Sequence, residues 1–164
     1  MSTPPEILLA EDDEADVFLL RRAFKDAGAE PRLRVATDGQ EAMDLLWHRA
    51  HAEEDRLPGL VILDLKMPRR NGLDVLGWMR SQPAFRCVPA FIFSSSSRRE
   101  DVERAYSAGA NAFLVKPSAT TQRTEVARFF NEWLRLVQAP LAVSEGFKAA
   151  AAAHATGVFI GGGR

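Results

Sequence analysis

The chain has 164 residues, 46% hydrophobic and 26% charged, with a net charge of −1. That length suits one domain plus a short extension, and the near-neutral balance excludes a chain-wide attraction to nucleic acid or anionic lipid. A lone Cys87 excludes an internal disulfide, no stretch reaches the roughly 18 apolar residues of a membrane span, and MSTPPEILLAEDD lacks the basic and apolar regions of a signal peptide, so a reducing cytoplasm is the expected setting.

Short apolar runs alternate with stretches of helical period. Ile7-Leu8-Leu9-Ala10 ends at Glu11-Asp12-Asp13. Val17, Leu20, Phe24 and Ala27 then fall at helical spacing, with Gly28 as a stop signal. Leu33-Arg34-Val35-Ala36 alternates as a strand does, and Asp38-Gly39 turns the chain into a second stripe of Ala42, Leu45, Leu46 and Trp47. The polar stretch HRAHAEEDRLPG leads to Leu60-Val61-Ile62-Leu63, which runs directly into Asp64. A third helix is expected over Gly72 to Ser81, with Val75, Leu76 and Met79 inward. Ala90-Phe91-Ile92-Phe93 is the fourth run and meets four serines. A helix from Glu100 to Ser107 stops at Gly109, and Ala112-Phe113-Leu114-Val115 then meets Lys116-Pro117. The last helix, Thr121 to Val137, puts Val126, Phe129, Phe130, Trp133 and Val137 on one side.

Five strand–helix units follow from this order. Unbroken apolar runs suit strands covered on both faces, and alternating units predict a parallel sheet with right-handed crossovers. Five units are too few to close an eightfold barrel. An open, doubly wound three-layer α/β sandwich is left, and such sheets place their sites at the carboxyl ends of the strands. Glu11, Asp12, Asp64, Ser94 and Lys116 therefore belong to one edge.

Three acids held together need a positive partner. A hard divalent cation with oxygen ligands, Mg2+, suits Glu11, Asp12 and Asp64 better than a transition metal does. His48, His51 and His154 lie far from these strand ends in sequence and form no close ligand set with Cys87. One carboxylate in such a site can act as nucleophile and form an acyl phosphate. Asp64 is the candidate, with Lys116 as a compact charge for the phosphoryl oxygens and Ser94 as a hydroxyl donor. Pro117 disfavours helix at Lys116 and helps hold its direction.

The motifs ILLAEDD, DLKMPRRNG, FIFS and FLVKP, in this order and spacing, resemble the receiver domain of two-component response regulators. The resemblance spans residues 5 to 137 and implies a flavodoxin-like fold with strand order 2-1-3-4-5. It implies that Asp64 is the phosphoacceptor and also a metal ligand, with Glu11, Asp12 and the Lys66 carbonyl completing the protein's share of a Mg2+ site. By the same resemblance, Lys116 binds the phosphoryl group, and Ser94 and Phe113 are the switch pair. A histidine kinase or its phosphotransfer domain is the implied donor, and the implied role is signalling rather than enzymatic turnover.

The chain departs from that pattern in places. Glu11 stands where many relatives have Asp, and Phe113 lacks the hydroxyl of the tyrosine often found there. Asp13 is expected to be a solvated loop acid, Arg69 and Arg70 a solvated turn, and Ser95 to Ser97 a plain loop. Trp47, Trp78 and Trp133 read as packing. Phe129, Phe130 and Trp133 are more aromatic surface than one helix face needs, so part of it is expected to face a partner. Two rival readings are a pseudo-receiver that is never phosphorylated and an aspartyl-phosphate phosphatase. The second needs an acid two residues after the nucleophile, where this chain has Lys66.

Residues 138–164 are too few for a common DNA-binding effector. They read as a C-terminal extension, either a dimerisation arm or a disordered segment. FFNEWLRLVQAPL, the EDD opening and the long loop before the third strand are similar to regulators partnered with bacterial phytochromes. That similarity implies a phytochrome-type kinase, a homodimer and a downstream protein that the sequence does not name, with neither nucleic acid nor membrane as partner.

Overall fold

The computed structural model describes residues 6–51 and 57–137. The expected C-terminal extension, His154, the opening residues and the middle of the loop before the third strand lie outside the described residues. Ten elements alternate along the chain: β1 (Glu6–Ala10), α1 (Glu14–Asp26), β2 (Arg32–Ala36), α2 (Gly39–His51), β3 (Leu60–Leu63), α3 (Gly72–Ser81), β4 (Ala90–Ser94), α4 (Arg99–Ser107), β5 (Ala112–Val115) and α5 (Thr120–Leu136). The sheet order is β2-β1-β3-β4-β5, and every pairing is parallel. This is the flavodoxin-like, doubly wound sandwich expected from the alternation, with helix bounds displaced by at most a residue or so.

Strand alternation builds two cores on one sheet. Ile7, Leu9, Leu60, Ile62, Phe91 and Phe93 face α1 and α5, where they meet Leu20, Phe24, Ala127 and Phe130. Leu8, Ala10, Val61, Leu63, Ala90 and Ile92 face the other way, onto Leu46 of α2, Leu76 and Met79 of α3 and Ala105 of α4. The three inner strands are buried at every position, because helices cover both faces. The fifth run does not share this burial. β5 is an edge strand with one neighbour, and its Val115 is 47% exposed. Trp47 also leaves the expected stripe, at 45% exposure, and its ring stacks on His51. Trp78 packs on Phe85 and Trp133 on Phe91, as expected of packing residues.

A half-buried arginine ties the far end of this layer. Arg80, in the last turn of α3, donates to the carbonyls of Gly109, Arg86 and Val88 at 2.9, 3.1 and 2.9 Å. It also reaches Oδ1 of Asn111 at 3.2 Å, and that same oxygen accepts from Ala90 N at the start of β4.

The carboxyl edge of the sheet is set by close backbone approach. A Cβ on Gly72, the first residue of α3, would stand 2.2 Å from the Asp64 carbonyl oxygen, and one on Gly39 would stand 2.1 Å from that of Arg70. Two loops interlock there only because both positions lack a side chain. Gly77, on the same α3, has open space around its missing Cβ. Gly72→Ala is therefore expected to destabilise the protein by about 1–3 kcal/mol through overpacking, whereas Gly77→Ala stabilises by about 0.5–1 kcal/mol. Urea denaturation of the two variants checks the sign; equal midpoints for both would refute the close-approach argument.

Candidate functional site

The backbone places the chemistry. Glu11 N donates to Ala36 O at 2.9 Å, Asp64 N to Ala10 O at 3.0 Å and Lys116 N to Ser94 O at 2.8 Å. Each of these residues extends its ladder one step past the strand, so three side chains stand in register on one rim. The carboxylate oxygens of Glu11, Asp12 and Asp64 all lie within 4.8 Å of one another, with Asp12 exposed and the other two buried. Three hard oxygen donors at that spacing fit a small divalent cation. Asp64 Oδ2 accepts from Lys66 N at 3.2 Å and Glu11 Oε1 from Asp13 N at 3.2 Å.

One ammonium serves this acid cluster. Lys116 Nζ lies 2.6 Å from Glu11 Oε2, 2.8 Å from Asp16 Oδ2 and 3.4 Å from Asp64 Oδ1. Burial alone favours the neutral amine, but Asp16, Glu11 and Asp64 outweigh it and hold Lys116 charged, its pKa raised well beyond the ordinary lysine range. Burial pushes Asp64 and Glu11 upward, and their share of Lys116 offsets this only in part. Burial also acts on Asp16, but Lys116 and Arg123 overcome it and lower its pKa.

The expected site residues thus meet, and the neighbourhood corrects several surface assignments. Ser94 is 1% exposed, and its Oγ accepts from Ser96 N at 3.2 Å. Ser96 is not a plain loop residue: its hydroxyl donates to Asp101 on α4 at 2.6 Å. Phe113 is half-buried against the core on the α3 and α4 side, and its N donates to the Tyr106 hydroxyl at 3.4 Å. Asp13 is the N-cap of α1, accepting from Ala15 N at 2.8 Å. Arg69 is not merely solvated. Its guanidinium grips the buried Asp38 through Nε at 2.9 Å and through Nη2, while Asp38 Oδ1 accepts from Glu41 N to cap α2. Arg69 holds a left-handed φ of 62° to do so, a strained state for a side-chain-bearing residue.

Asp16 escaped the sequence reading. It extends the buried stripe of Leu20 and Ala23 by one turn of α1. An acid at the end of an apolar stripe, next to the site rim, was the available signal. Arg123 of α5 stands 3.5 Å from its Oδ1.

Residues 7–128 match the response regulator receiver domain. The chain belongs to that family. Three solved receivers resemble it across most of its length. The Mn2+-bound form of response regulator Rcp1, from Synechocystis, is 28% identical with a TM-score of 0.72, covering 84% of this chain and 99% of that one. The phosphorylated cyanobacterial phytochrome response regulator RcpA is 28% identical with a TM-score of 0.73, at 84% and 99% coverage. RPA3017, a response regulator in red light signalling of R. palustris, is 30% identical with a TM-score of 0.75, again at 84% and 99%.

The raised native pKa of Asp64 fixes a sign. A carboxyl whose pKa is higher folded than unfolded favours the folded state below its unfolded value, and that contribution is lost as pH rises through the folded value. The contribution of Asp64 to the stability of the metal-free receiver is therefore expected to grow as pH falls from about 7 toward the ordinary carboxylate value near 4. In Asp64→Asn this contribution is lost. Melting temperatures in EDTA across that range test this; parallel curves for the two proteins would contradict it.

Proposed function

We propose that this receiver is a phosphorelay response regulator that accepts a phosphoryl group on Asp64. The observation that carries the reading is the meeting, on one rim, of an acidic trio that fits a cation, a buried carboxylate and a lysine held charged beside it. Phosphohistidine of a histidine kinase is the donor. An Asp64 carboxylate oxygen forms the new P–O bond as the P–N bond breaks, and the electron pair leaves with the imidazole, which takes up a proton. Lys116 donates to the phosphoryl oxygens as its ties to Asp64 change, and Ser94 exchanges its bond with Ser96 N for one to the phosphoryl group.

Glu11, Asp12, Asp64 and the Lys66 carbonyl would hold Mg2+. When bound, it neutralises charge on the transferred group. The buried β1–β3 rim limits water around Asp64 and favours direct transfer over hydrolysis.

A phosphoryl group adds roughly −1.5 to −2 charge beside Lys116 and Ser94. Movement of Ser94 lets Phe113 repack, shifting the population of two arrangements of the α4–β5–α5 face. Tyr106, Val115 and Phe129 already expose apolar surface there, at 51%, 47% and 40%. That surface supports a homodimer and a downstream protein target, with residues 5–137 as the receiver unit. Similarity to RcpA and RPA3017 supports a phytochrome-type kinase as donor and a place in light signalling. Among the described residues no helix is long and apolar enough to cross a membrane, which is consistent with a cytoplasmic site of action, and the reading makes the protein a signalling module, its chemistry confined to its own phosphorylation and dephosphorylation.

Acetyl phosphate with Mg2+ is expected to yield one phosphoryl adduct by intact mass, absent in Asp64→Asn and formed about a hundredfold more slowly in Lys116→Ala, as for loss of one transition-state donor. Steady phosphate release from unrelated esters identifies a phosphatase instead, and no adduct with any donor identifies a pseudo-receiver.

A further inference from the structure

Lys116 has three N–H donors and three carboxylates in reach, but these carboxylates are not equivalent. Glu11 and Asp64 belong to the trio whose oxygens converge within 4.8 Å. Asp16 does not. It stands in the first turn of α1, 2.8 Å from Lys116 Nζ through Oδ2 and 3.5 Å from Arg123 Nη1 through Oδ1. Lys116 and Arg123 side chains are only 8% and 14% exposed. Asp16 is thus shared between two largely buried cations, one of which faces the trio. No role for Asp16 follows from the receiver motifs in the sequence, because it lies in none of them.

We infer that Asp16 is a positioning residue that anchors the Lys116 ammonium outside the acidic trio, so that Glu11 and Asp64 can turn to a divalent cation without stranding a buried lysine. The inference rests on the reading of the trio as a Mg2+ pocket. Lys116 and a cation draw on the same two carboxylates, Glu11 and Asp64, and repel one another. While the trio is free, Lys116 has three anionic partners, and Asp16 is one of them. Once Glu11 and Asp64 serve a cation, Asp16 is the remaining carboxylate around the ammonium. Its attraction to Lys116 therefore matters more when the pocket is filled than when it is empty. A buried charge left without a partner is costly, so loss of Asp16 falls on the filled state. Arg123 holds Asp16 from the α5 side and keeps it at the rim when Lys116 shifts.

The test is equilibrium binding of Mg2+ to the unphosphorylated full chain by isothermal titration calorimetry, with no phosphodonor present. Asp16→Asn keeps the size of the side chain and removes its charge, and thermal unfolding verifies that each variant is folded. Asp16→Asn is expected to raise the Mg2+ dissociation constant by on the order of tenfold, the scale of coupling between touching residues. The same substitution made in Lys116→Ala is expected to have about a twofold effect, since the residues left to couple are no longer in contact. An equal effect in both backgrounds shows a plain loss of nearby negative charge and overturns the inference while leaving the Mg2+ pocket intact. No effect in either background also overturns it. Failure of the unaltered protein to bind Mg2+ removes the pocket itself, and this inference with it.

Discussion

Three carboxylates crowd one ammonium at the mouth of a buried parallel sheet, and the rest of the molecule is arranged around that imbalance. Charge taken out of water is costly unless it is paired. Here Glu11 and Asp64 are buried, and Lys116 is the cation they share. The site is therefore electrostatically unfinished as protein alone. It has negative charge to spare toward a divalent cation and, in the function proposed above, positive charge to offer a phosphoryl group. Both tendencies come from the same few side chains.

The scaffold that holds this imbalance is mostly backbone. Glu11, Asp64 and Lys116 are each pinned by a main-chain bond to the neighbouring strand, so their positions follow from sheet register rather than from side-chain packing. The loop after β3 is held from the other side. Gly72 lies against Asp64, Gly39 against Arg70, and the Asp38–Arg69 pair joins the β2–α2 and β3–α3 loops. A left-handed Arg69 is tolerated because its guanidinium gains a buried carboxylate. Strain in one turn is balanced by an ion pair 31 residues away in sequence.

Much of this was legible in the residues. Five apolar runs, each ending in a polar residue, gave the alternation and hence the layer architecture, and the rule that sites lie at carboxyl ends brought Glu11, Asp12, Asp64, Ser94 and Lys116 together on paper. What stayed hidden shares one physical character. The Lys116–Asp16 pair spans 100 residues and the Arg80–Asn111 pair 31. Such pairs carry no periodicity, because they depend on where two helices or loops come to rest. Asp13 and Ser96 were missed for the opposite reason. Their bonds are local, at separations of 2 and 5 residues, yet Asp and Ser are as common in open loops as in caps. β5 was read as covered because its apolar run looks like the others, although the strand order 2-1-3-4-5 implied by the family resemblance already put it at the sheet edge.

The hub around Arg80 has a consequence for how this domain can change. Four of its partners are main-chain carbonyls, at Phe85, Arg86, Val88 and Gly109. A carbonyl is present whatever side chain sits above it. The turn between α3 and β4 can therefore exchange its outward residues, Arg86 and the exposed Cys87 among them, while one guanidinium keeps its path. A single arginine thus insulates the shape of that corner from its own spelling, and leaves the surface there free to be rewritten for a different neighbour.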